Sequence, residues 1–139
     1  MPITWEVDHA RRLVLAKASG VMQGHEVREY QTTVWSRPDI AGYDELVDMT
    51  DVQEIALTSA SRARELASIS AEMDRPAPAD GPDRPPRFAI VAPNEIAFAM
   101  GKMYETFRQM EPKSMKEVRV FRTRAEALRF LGVAAPVGE

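Results

Sequence analysis

The run Phe88-Ala89-Ile90-Val91 constrains this chain more than any other stretch. Its four consecutive apolar residues show no alternation, so the strand they form has no solvent face and needs cover on both sides. Pro93-Asn94 follows, and then a helical pattern from Glu95 to about Met110. A doubly covered strand feeding a helix is the unit of a parallel sheet with right-handed crossovers, and it points to an α/β fold.

The other segments extend this pattern. Ile3-Thr4-Trp5-Glu6-Val7 alternates apolar and polar, as a half-buried strand does. Asp8 to Arg11 reads as a turn, and Leu13-Val14-Leu15-Ala16 as the second arm of an antiparallel hairpin that Ser19-Gly20 closes. A helix is predicted from His25 to Ser36, with Val27, Tyr30 and Val34 inward and Gln31 at the margin of that stripe; the proline in Arg37-Pro38-Asp39 ends it. A third strand covers Glu45 to Met49. A second helix runs from about Ser59 to Met73 with Thr58 or Ser59 as its cap. Val118 to Phe121 is the last strand. Thr123 and Glu126 form a capping box before a helix that Gly132 stops. The order is ββαβαβαβα, a five-stranded mixed, mostly parallel sheet with four helices.

A chain of 139 residues with 45% apolar and 28% charged content is expected to form one soluble domain, here residues 1–132. Residues 75–86, RPAPADGPDRPP, contain five prolines and are expected to be an extended, mobile loop; residues 133–139 are expected to be a loose tail. The net charge of -3 gives no general attraction to nucleic acid or anionic membrane. With no cysteine, disulfides, thiolate metal sites and cysteine nucleophiles are excluded, which suits a cytoplasmic location. The start of the chain lacks the basic and apolar regions of a signal peptide, and no apolar run reaches the roughly 20 residues of a membrane span. Eight acids crowd residues 44–74, while six basic residues crowd 113–129; both are expected to be solvated faces of opposite sign.

The stretch Asp44 to Leu66 is the expected site. Its strand is expected to end at Asp48, turn at Thr50-Asp51, and give way to a helix at Thr58-Ser59, placing polar side chains where α/β proteins hold ligands. Reaction chemistry is thin. His9 and His25 have no second metal ligand at a useful spacing. Thr58, Ser59 and Ser61 have no base nearby and no GxSxG elbow. The scattered glycines form no phosphate loop, and no cofactor is expected. Asp48 and Asp51 could work as a carboxylate pair, although such residues more often cap their own backbone.

The third helix is apolar around much of its girth. Ile96, Met100, Met103 and Phe107 make one stripe, read as inward, and Ala97, Gly101 and Tyr104 a second, with Phe98 pointing elsewhere. Either the helix is deeply buried, or its second surface, marked by Phe98, Gly101, Lys102 and Tyr104, meets a second copy of the chain or an apolar ligand.

The element order, VDMTDVQEI (47–55), FAIVAPNEIAFAMGKMYETF (88–107) and EVRVFRTRAEALRFLG (117–132) resemble the SpoIIAA-like fold of STAS domains, over Ile3 to Leu131, and in particular its small stand-alone branch. The resemblance implies a regulatory or protein-interaction module that docks a partner through Asp48, Thr50, Asp51, Thr58 and Ser59. In the family's antagonists an Asp-Ser pair opens the second helix, and the serine is phosphorylated; here Ala56 and Leu57 hold those places, with Thr58 and Ser59 one and two positions late. A distant likeness of this fold to Sec14 lipid-binding domains implies the alternative, a carrier of a small apolar ligand. A homodimer through the third or first helix is expected under either reading; an enzyme using Asp48 and Asp51 is a third.

Overall fold

A computed structural model of the chain describes residues 3–56, 59–76, 81 and 83–133. Five strands, β1 (Ile3–Asp8), β2 (Leu13–Gln23), β3 (Asp44–Ala56), β4 (Arg87–Val91) and β5 (Glu117–Phe121), lie side by side in sequence order. Only β1 and β2 are antiparallel; β2 to β5 are parallel. Four helices connect or follow them, α1 (Gly24–Val34), α2 (Ala60–Met73), α3 (Glu95–Met110) and α4 (Arg124–Leu131), with a short 3-10 turn at Pro38–Ile40. The mixed sheet and helix order are those expected from the sequence.

Side-chain alternation assigns the two faces. Val14, Ala16, Phe88, Ile90, Val118 and Val120 point into a large apolar cluster beneath α1 and α3. Leu13, Leu46, Ala89 and Val91 point the other way and meet Ala127, Leu128 and Leu131 of α4. β4 is therefore buried on both faces, which is why its sequence carries no polar residue after Arg87. Gly101 lets α3 approach β5, since a Cβ there would stand 3.1 and 3.2 Å from the two Val120 methyls.

The middle of the fold differs from the sequence reading. β3 does not stop at Met49 or turn at Thr50-Asp51; it continues to Ala56. β2 likewise runs on past Ala16 to Gln23, and Ser19-Gly20 lies inside the strand. The two extended strands pair in parallel as far as Gln23 and Ala56, with register shifts at Lys17/Ser19 and Gly20/Val21. Gly20, at φ 66°, supplies the left-handed residue beside that irregularity. Pairing with a neighbour overrides the local turn preference of Asp48-Met49-Thr50-Asp51.

α2 packs chiefly against α1 and α3 rather than against a strand. Its buried Ala63, Leu66 and Ala67 belong to neither apolar cluster, so this helix bridges its neighbours and stands off the sheet. Of the proline-rich segment, residues 77–80 and 82 lie outside the described residues, as does the tail from 134. The segment's last part is tied down: Pro86 is buried and Arg84 pairs with Asp44 at 2.9 Å. Among the described residues, no helix is long and apolar enough to cross a membrane.

Candidate functional site

The space under α2 is a cavity of about 90 Å³. α1 supplies Val27, Tyr30 and Gln31 to its wall, β3 supplies Glu45, Val47, Met49 and Ile55, and α3 supplies Met100, Gly101 and Tyr104. Ala63, Leu66 and Ser70 of α2 form the remaining side. Met22, Val27, Val47, Ile55, Met100 and Tyr104 on this wall are only partly buried, and Met22, Ile55 and Met100 belong to its apolar part. Methionine there is adaptable, with three rotatable bonds and no branch.

The other end is polar and closely bonded. Glu45, 2% exposed, accepts hydrogen bonds on Oε2 from the Tyr30 hydroxyl (2.7 Å) and Trp35 Nε1 (3.1 Å). Its Oε1 accepts from Lys116 Nζ at 2.9 Å. That ammonium also lies 3.1 Å from the centre of the Trp35 ring, a cation–π contact shielded from water. Burial pulls the Lys116 pKa below 10.5, and the neighbouring Glu45 charge opposes that only in part. Burial, and then the same carboxylate, push Tyr30 well above 10.0.

A second buried pair lies alongside. Arg108 is fully buried; it donates to Asp74 Oδ2 at 2.6 Å and to Ser70 Oγ at 2.5 Å. Asp74 Oδ2 also accepts the backbone amides of Met115 (2.7 Å) and Lys116 (3.2 Å), which fixes the connection from α3 to β5. Gln31 Nε2 donates to the Tyr104 hydroxyl at 3.2 Å, but Gln31 Oε1 is buried without a partner. Burial raises Tyr104 above 10.0, with Arg108 pulling the other way.

The residues expected to form a docking turn lie elsewhere. Asp48, half-buried on the α4 face of β3, pairs with Arg124 at 3.3 Å and accepts the Thr50 amide at 2.9 Å and the Thr50 hydroxyl. Asp51 is exposed and pairs with Lys17 at 2.8 Å; that contact raises the Lys17 pKa. Thr50 is exposed on the strand. The two carboxylates thus sit on an extended strand, each beside a cation, and not on a turn. Ser59 caps α2 by accepting the Arg62 amide at 3.2 Å, while Thr58 lies outside the described residues.

The stripes of α3 are partly exchanged relative to the sequence reading, with Met100 of the first stripe still on the cavity wall. Ala97, Gly101, Glu105 and Arg108 face inward, with Tyr104 beside them. Ile96 is 69% and Met110 59% exposed, with Met103 and Phe107 half-buried between them. The change follows from Gly101: the position without a side chain approaches the sheet at Val120, and that choice turns Ile96 outward. Phe98, Gly101, Lys102 and Tyr104 therefore do not form one surface. Gly101 and Tyr104 point into the core, Phe98 lies under the Arg122 guanidinium at 4.1 Å, and Lys102 pairs with Glu105 at 2.8 Å.

The acidic and basic crowds are likewise not simply solvated. Asp44, Glu45 and Asp74 are buried, and so is the Lys116 side chain. Tyr30 and Gln31, on and beside the inward stripe of α1, and Tyr104, on an apolar stripe of α3, are the members of the polar network with a visible sequence signal. Glu45, Lys116, Asp74 and Arg108 carry none, because their partners are brought together across 34 to 71 residues. Among the described residues, no group of three or more His, Asp or Glu is placed to hold a metal.

Comparison with known proteins supports the fold and goes no further. No family model matches the chain, and no curated protein does. Among solved structures it is similar to an uncharacterised protein from the DUF3478 family with a SpoIIAA-like fold, from Shewanella loihica PV-4. The TM-score is 0.56 at 15% identity, covering 93% of each chain. The fold is SpoIIAA-like.

Proposed function

We propose that this SpoIIAA-like domain is a non-enzymatic binding module whose ligand is a small apolar molecule held under α2. The observation that carries the reading is the cavity itself. A helix with a well-formed apolar face stands off the sheet and leaves an apolar space closed at one end by polar side chains. Pockets of this kind, mostly apolar with a few placed polar groups, are where small molecules bind. The paired aspartates give no competing support for catalysis, since each sits beside a cation on a strand.

Native mass spectrometry after gentle purification is expected to show a bound small molecule, or thermal shift to reveal stabilisation by apolar acids or alcohols. A clean unliganded mass together with no shift from either class removes the reading.

A regulatory docking role is the second reading. It is favoured by the exposed Thr50, Asp51 and Ser59 and by Ile96, which stands exposed at the start of α3. Pull-down under native expression, with Ser59→Ala and Asp51→Asn as controls, tests it; partner capture indifferent to both changes counts against this surface. The exposed Ile96–Met110 stripe supports self-association as a homodimer through α3, and light scattering at a mass near 15.6 kDa at high concentration contradicts it.

A further inference from the structure

Gln31 is 4% exposed and forms part of the cavity wall. Its Nε2 donates to the Tyr104 hydroxyl, and its Oε1 has no partner. A buried carbonyl without a donor is unfavourable in an otherwise bonded interior.

The other polar groups on the wall are already engaged. Glu45 receives Tyr30, Trp35 and Lys116, and Ser70 receives Arg108. Both buried cations already face a carboxylate, Lys116 that of Glu45 and Arg108 that of Asp74. An anionic ligand would enter a space whose positive charges are spoken for and whose nearest lining charge is Glu45; desolvating it there is unfavourable.

We infer that the cavity selects a small, neutral apolar ligand carrying a hydroxyl, which donates its hydrogen bond to Gln31 Oε1. The inference rests on the ligand-binding reading above and adds the ligand's charge, size and anchoring atom. Size follows from volume. A cavity of roughly 150 Å³ is what accommodates benzene, and this one is about 90 Å³. The ligand is therefore smaller than benzene, with its hydroxyl at Gln31.

The test compares two isomers and an acid. Propan-1-ol and methoxyethane have the same atoms and similar size, but only the alcohol donates; propanoate adds a charge. Each is titrated into the full chain labelled at its methionine methyls, with Met22 and Met100 as reporters. Propan-1-ol is expected to move both methyl resonances and to bind about tenfold more tightly than methoxyethane, with propanoate weakest. In Gln31→Leu the preference for alcohol over ether is expected to fall below about twofold, since a tenfold factor corresponds to one hydrogen bond of about 1.4 kcal/mol. Gln31→Met, also unbranched at Cβ and of similar length, serves if the leucine variant does not fold. Equal binding of alcohol and ether in the wild type, or a preference that survives both substitutions, overturns the role of Gln31 and leaves the cavity reading standing. Silence of both methyls toward all three compounds overturns both.

Discussion

The buried pair Glu45–Lys116 offers a prediction whose size can be worked from the structure. Lys116→Met removes the ammonium but keeps an unbranched apolar stem of similar length. The Glu45 carboxylate, with its side chain 3% exposed, would then be buried without its cation, 2.9 Å from where Nζ stood. Breaking one partner of a buried pair destabilises by about 3–5 kcal/mol, because the remaining charge has neither water nor counter-charge. Loss of the contact over Trp35 adds to this, although a methionine sulfur restores part of it. Glu45→Gln in the same protein removes the stranded charge and keeps an acceptor for Tyr30 and Trp35. The double variant is therefore expected to be more stable than Lys116→Met alone, with a coupling of about 2–3 kcal/mol in the double-mutant cycle. Urea unfolding followed by tryptophan fluorescence and by far-ultraviolet dichroism measures all four proteins. A loss below about 1 kcal/mol for Lys116→Met, or additive losses in the double variant, would refute the placement of this pair in a dry interior.

The pH dependence of stability has a definite sign. Lys116 has a folded pKa below 10.5, so between that value and 10.5 the unfolded chain binds more protons and stability rises with pH. Tyr30 is raised above 10.0, so beyond that point the folded state holds the extra proton and its contribution falls as pH rises further toward its folded value. The rise below 10.5 is expected to flatten in Glu45→Gln/Lys116→Met; an unchanged urea-midpoint profile contradicts it. Gly101→Ala is expected to destabilise by about 1 kcal/mol, because overpacking against the stiff Val120 outweighs the gain in helix propensity. Placing it in a Val120→Ala background should reverse the sign of its effect, and failure to do so argues against the close approach of α3 to β5. Arg108→Met is expected to cost about 3–5 kcal/mol by stranding Asp74, with Asp74→Asn recovering part of it in chemical denaturation. Ser59→Ala should lower stability by about 1 kcal/mol through loss of the α2 cap, and should leave propan-1-ol binding unchanged in the same methyl titration.

The site was legible only in part, and the reasons are physical. Asp48-Met-Thr-Asp51 carries strong local turn preferences, and those preferences pointed to a turn. Pairing of β2 with β3 through Gln23 and Ala56 is a non-local interaction, and it keeps the segment extended. Helix α3 carries two apolar stripes, and periodicity alone does not rank them; the small side chains of Ala97 and Gly101 face the sheet because they let the backbones approach.

Local pattern in the chain itself determined the element types, their order and the two-sided burial of Phe88 to Val91, because hydrophobic period and proline, glycine and cap positions act within a few residues. Tertiary structure alone decided the rest. Glu45 met Lys116, and Asp74 met Arg108, across long separations; α2 came to stand off the sheet; and Gln31 was left with an unpaired carbonyl on a cavity wall. Each of these depends on how neighbouring elements pack, and no residue carries that information in its own immediate sequence.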